Sequence, residues 1–226
     1  MSVARHPASP EPGSRRYYTL LYTPSALREE LNTLLALADE IGATHSGNAD
    51  HSVAHVRLEW WRREVERFSQ GTPQHPWLQG LLAQYPATGA LNLRSLVDGA
   101  AVDLAAQTLR SQHGAALRHA LFAVIADALC EQPLTPEWEQ AVGALGEAVQ
   151  RLERDPQDLT VRAQMRQPLQ IIGAALQPPL TPLLVWLALA ARPARRRHPL
   201  IEQFTDNVVA WSAARRAARG QFHLVQ

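Results

Sequence analysis

Apolar side chains in this chain return every three or four positions, the spacing that lays a stripe along one side of an α-helix. Leu27, Leu31, Leu34, Leu35, Ala38 and Ile41 form one such stripe. Thr23 and Pro24 ahead of it read as an N-cap followed by a proline at the first helical position. Gly42, Gly47 and Asn48 close it, at about His45. The next stripe lies in SVAHVRLEWWRREVERF, from Ser52 to Phe68. Val53, Val56, Trp60, Trp61, Glu64, Val65 and Phe68 are expected on one face, and all but Glu64 are apolar. Asp50 or Ser52 caps the start, and Gly71, Thr72 and Pro73 stop the helix. Trp60 and Trp61 stand about 100° apart around a helix, so they need two neighbours to pack against. That predicts a helix inside a bundle, with Glu59–Arg63 and Glu64–Arg67 pairs lacing its outer surface.

The same period continues to the C-terminus. Arg15 to Tyr22 predicts a helical turn or two, and a short helix is expected at about Trp77 to Tyr85. Leu93 to Leu109 carries Leu96, Val97, Ala100, Leu104 and Ala105 on its inner side. Gly114 to Cys130 carries Leu117, Leu121, Val124, Ile125 and Ala128. Glu137 to Arg154 follows, with Trp138, Val142, Leu145, Val149 and Leu152. Arg162 to Leu176 is expected to break or kink near Pro168, which cannot donate a backbone hydrogen bond. Leu183 to Ala191 is almost wholly apolar, but far shorter than the ~20 residues that cross a bilayer, so it reads as a core helix. An exposed cluster, Arg195 to Arg197, precedes a last helix from Pro199 to Arg219. Residues 1–14, rich in proline and serine, read as a disordered tail, and 15–226 as one all-α domain.

Composition changes this picture little. A length of 226 residues suits one domain with a sizeable core, and a net charge of +1 gives no reason to expect nucleic acid. Every basic residue is arginine, which excludes Schiff-base and lysine general-base chemistry. The single Cys130 excludes an intrachain disulfide and a multi-cysteine zinc site, and fits a reducing, cytoplasmic setting.

Candidate chemistry is sparse. The carboxylate pairs one helical turn apart are Asp127/Glu131 and Glu202/Asp206, and both read as solvated surface. Asp155 and Asp158 flank Pro156 and read as a turn that caps the next helix. Asp39 and Glu40 are adjacent and therefore splayed. His51 and His55 share a helical face, but no acidic residue follows in the order a zinc protease needs. No phosphate-cradling glycine loop and no nucleophile elbow is present.

Residue order adds something that spacing does not. LYTPSALREELNTLLALADEI, a polar loop, and VRLEWWRREVERFSQGTPQHPWLQGLL together resemble the squalene/phytoene synthase family of head-to-head prenyl synthases. Arg57, Trp60, Trp61, Arg62, Gly71, Pro73, His75 and Pro76 match that family in order. Asp98, Gly99 and Asp103 in LVDGAAVDLAAQTLRS, and Gly146 and Gln150 in LGEAVQRLERDPQD, continue the match to about Arg166. The resemblance implies a helical bundle of the isoprenoid synthase type with a central apolar cavity. It also implies an isoprenoid or prenyl diphosphate ligand, and Mg²⁺ held between two aspartate-rich motifs in active members. It nominates Asp39, Glu40 and Asp103 as candidate catalytic groups, and Arg57 and Gln150 as substrate-binding residues. Arg57 is expected to point inward onto Asp39 or Glu40, with Arg62 outside on Glu66.

The departures from the family pattern are specific. Its first motif, an arginine and two aspartates, falls here on Asp39, Gly42 and Ser46. Its second keeps Gln150 but has Glu153 for asparagine, and shrinks to Asp155 and Asp158. A tyrosine expected on a later helix falls at Ala120. Losing the carboxylates removes the charge that holds Mg²⁺ against diphosphate, and one such stabiliser is worth about 3 kcal/mol of barrier. The resemblance thus implies a non-catalytic member without a cofactor, binding an isoprenoid or serving a protein partner, as with assembly factors of a respiratory-chain complex, and allows peripheral contact with a membrane. The alternative is an active transferase that condenses two prenyl diphosphates with Mg²⁺ on unusual ligands.

Overall fold

The computed structural model describes residues 7–45, 51–85, 90–106, 114–130, 133–174, 180–192 and 199–221. Ser46, Asp50, Glu131 and Arg195 to Arg197 lie outside them. Among the described residues the regular elements are all helical, α1 (Arg15–Leu21), α2 (Arg28–Gly42), α3 (His51–Ser69), α4 (Pro76–Gln84) and α5 (Arg94–Ala105) leading the order. They continue as α6 (Ala115–Leu129), α7 (Pro136–Arg154), α8 (Leu159–Gln164), α9 (Arg166–Ala174), α10 (Thr181–Ala190) and α11 (Pro199–Ala217). No helix of the described residues is long and apolar enough to cross a membrane.

Local chemistry sets the boundaries. Ser14 and Thr135 cap α1 and α7 by accepting the backbone N–H three residues on. Thr23 does not cap α2. Its hydroxyl donates to the Thr19 carbonyl, and a 3₁₀ turn at Ser25–Leu27 leads in instead. Pro168 would crowd the carbonyl four residues before it, and the helical run divides at Met165 into α8 and α9.

Helix α3 departs from the expected register. Its buried side is Ala54, Leu58, Trp61, Glu64, Val65 and Phe68. Val53 and Val56 are exposed, as is Trp60 at 43%, against 4% for Trp61. The two tryptophans therefore divide between core and rim. Glu64 is fully buried with Val65 and Phe68, and its expected pair with Arg67 forms at that buried position rather than on the outer surface, while Glu59 and Arg63 pair outside.

The core is continuous through α2, α3, α5, α6, α7, α9 and α10, with α6 packed between α5 and α7. Glycine permits those approaches. A β-carbon at Gly99 would lie 2.7 Å from the Ala116 carbonyl oxygen, and one at Gly146 would overlap the Arg118 carbonyl. A second, smaller cluster joins Tyr18 of α1, Val185 and Leu189 of α10, and Ala210, Ala213 and Ala214 of α11.

Candidate functional site

Helices α1, α2, α6, α7 and α10 bring charged and aromatic side chains together around Glu153. Gln150 and Glu153 sit one turn apart on α7, on a face that also carries the glycine contact with α6. One Glu153 oxygen accepts the indole N–H of Trp186 at 2.9 Å and lies 3.3 Å from Arg15. The other lies 3.5 Å from Arg118. The Arg118 guanidinium also donates to Gln150 Oε1 at 3.3 Å and stacks 4.7 Å above the Trp186 ring. Phe122 packs on that ring from within the core.

A second ion pair adjoins the first. Arg16 donates to Asp39 at 3.1 Å and to the side chain and carbonyl of Asn32. Burial pushes the Asp39 carboxyl above its ordinary value, Arg16 and Arg118 pull it back, and Glu153 pushes it up again. Burial also lowers the Arg16 guanidinium, and Asp39 opposes this. The group holds three arginines and two carboxylates, fastened largely to one another.

Of the residues nominated from sequence, Asp39 and Gln150 belong to this cluster. The others do not. Glu40 faces His75 at 3.5 Å. Asp103 is buried, and its two oxygens accept the Ala116 and Leu117 backbone N–H groups at 3.1 and 2.9 Å. It caps α6, whose N-cap residue, Gly114, has no side chain to do so.

Arg57 is exposed on α3 and pairs with neither Asp39 nor Glu40. The α3 register explains it: the inward side is set by Leu58 and Trp61, so position 57 turns outward. The cation on Asp39 is Arg16 instead. Arg62 pairs with Glu59 and Asp98 rather than Glu66.

No family model, curated protein or solved structure matches this chain.

The remaining acidic candidates are already engaged. Asp158 caps α8 through the Val161 N–H and accepts from Arg151, and Asp155 accepts the Gln157 N–H. Asp206 is paired with Arg192. Among the described residues no three His, Cys, Asp or Glu side chains converge as metal ligands, and His51 and His55 meet at 3.0 Å between their Nε2 atoms. An open cavity of about 550 Å³ lies between α5, α6 and α7, bordered by Val102, Asp103, Ala116, Glu147 and Arg151. It lies at the C-terminal end of α5 and the N-terminal end of α6.

Sequence reasoning missed Arg15, Arg16, Arg118 and Trp186. They come from three separate parts of the chain, Arg15–Arg16, Arg118 and Trp186, and no local spacing connects these. Arg118 alone carried a signal, as a cation on the largely apolar AALRHALFAVIADAL.

Proposed function

We propose that this chain is a divergent relative of the squalene/phytoene synthases that has lost metal-assisted condensation and acts by binding. Its ligand on this reading is an isoprenoid in the bundle or a protein partner, the latter in keeping with assembly-factor relatives. The observation that supports the reading is what has replaced the metal carboxylates. Position 42 is Gly42, against which the Leu117 side chain packs so closely that a β-carbon would lie 3.0 Å from it. Asp155 and Asp158 are spent on a turn and a helix cap. Asp39, where the family carries arginine, is tied to Arg16.

An ion-pair network of this kind holds its carboxylates on arginine without a metal. It binds its own members through charge-assisted hydrogen bonds and leaves few lone pairs for Mg²⁺. The test is incubation of the full chain with farnesyl or geranylgeranyl diphosphate and Mg²⁺. No diphosphate release is expected, while quenching of tryptophan fluorescence by geranylgeraniol, or capture of a defined protein partner, is expected. Mg²⁺-dependent turnover would overturn the reading and establish the transferase.

A further inference from the structure

Helix α11 is built inside out. The face it lays on α10 and α1 is Ala210, Ala213 and Ala214, all buried. Three large apolar side chains point the other way: Phe204 is 71% exposed, Val208 47% and Trp211 54%, whereas Val209 packs against the inner cluster. These three are spaced i, i+4 and i+7, so they form one stripe, roughly opposite the alanines. Small residues inside and aromatics outside do not serve packing of the monomer.

The charges on this helix sort the same way. Asp206 is turned to Arg192 at the body of the protein, and Arg192 also donates to the Glu202 carbonyl. Arg215 lies on the outer face, its guanidinium 5.1 Å from the Trp211 ring, and Arg219 is exposed one turn on. From Arg192 to the C-terminus there are seven arginines and two acidic side chains, in a chain whose net charge is only +1. Arg215 and Arg219 thus border the apolar stripe on its exposed side, while the acidic Asp206 faces inward.

We propose that the Phe204–Val208–Trp211 face of α11 is a docking surface for an anionic lipid bilayer. Aromatic side chains set beside arginines are the anchors of a helix lying in the membrane interface, the ring sinking to the headgroup level while the guanidinium meets phosphate. A second copy of the chain fits less well. Three such side chains cover roughly 300 Å² on each partner, well under the roughly 800 Å² of a stable interface, and would bring like charges together. This surface is independent of the reading of the Glu153 cluster.

The experiment is co-sedimentation of the full chain with vesicles of phosphatidylcholine alone and of equimolar phosphatidylcholine and phosphatidylglycerol. Binding to the anionic vesicles is expected, weakening as salt rises. The Phe204→Ser/Trp211→Ser variant should bind at least about tenfold more weakly with unchanged helical circular dichroism. Arg215→Gln should lose roughly fivefold on anionic vesicles alone. Equal binding to both vesicles, no binding to either, or an unaffected double variant would overturn the proposal. So would self-association of the wild type that the double variant abolishes without any vesicle binding, which would assign the face to a second copy.

Discussion

Asp103 of α5 holds the start of α6 through Leu117: one carboxylate oxygen accepts the Leu117 N–H at 2.9 Å, and the other takes Ala116. Leu117 in turn packs its side chain over Gly42 of α2, so three helices meet at this point. A buried carboxylate with two charge-assisted hydrogen bonds at a helix N-terminus stabilises the fold through both the bonds and the helix dipole.

Asp103→Ala leaves those two half-buried N–H groups without their acceptor. Each bond to a charged group is worth ~1.5–3 kcal/mol, so a loss of about 3 kcal/mol is expected from urea denaturation. Asp103→Asn retains one acceptor and should lose about half as much. Equal stability of wild type and Asp103→Ala would remove the capping role.

Trp60→Ala and Trp61→Ala should differ sharply although the residues are neighbours. Trp61 fills the core beside Phe68 and Leu58, so its removal should cost ~3–5 kcal/mol. Trp60 rests at the rim in edge contact with Trp61 and His75, and its removal should cost under about 1.5 kcal/mol. Comparing the two denaturation midpoints checks the register of α3 directly.

The α3 register also shows how far this sequence is legible. In α2 the expected positions from Leu31 to Ile41 are all buried, but so are Asn32, Thr33, Ala36 and Leu37, because this helix is enclosed on more than one side. In α3 large apolar residues lie on both sides, and the bulk of Val53, Val56 and Trp60 hides the face of Ala54 and Leu58 that is actually inside. Periodicity put Glu64 on the inner face but not the groups that satisfy it there, because they come from a turn: its Oε1 accepts the Gln74 and His75 N–H groups, both at 2.6 Å. The GTPQHP segment thereby fixes a charge in the core, with Arg67 on the other oxygen. The Glu153 cluster lay beyond sequence reading for the same reason. Arg16, Arg118 and Trp186 acquire their meaning only when five helices are assembled.

Gly146→Ala tests that assembly. The Arg118 carbonyl occupies the space of the new methyl group, and backbone cannot move aside as a side-chain end can. Overpacking of this kind costs ~1–3 kcal/mol. It should also part α6 from α7 near Arg118 and Gln150, so the variant should show altered Trp186 fluorescence as well as a lower thermal midpoint. Gly71→Ala, which would meet no atom within 4 Å but has φ of +78°, should lower stability through backbone strain and leave the fluorescence unchanged.

Glu30 gives the molecule a pH dependence of definite sign. Its side chain is buried on α2, no cation pairs with it among the described residues, and burial raises its pKa from the ordinary 4.5 to about 7. The folded state therefore holds this proton more tightly than the unfolded chain does. Its stabilising contribution is complete below about pH 4.5 and is lost as pH rises through about 7. A shift of that size corresponds to at most about 3 kcal/mol. Other carboxylates act in the opposite sense: Asp158 is held below its ordinary value by the Val161 N–H and Arg151. The measurement must therefore be the difference between wild type and Glu30→Gln, not the wild-type curve alone. Glu30→Gln should match wild type near pH 4 and become progressively more stable than it up to pH 8, by urea denaturation at each pH. A constant difference across that range would show that Glu30 keeps the same protonation state in the folded and unfolded chains.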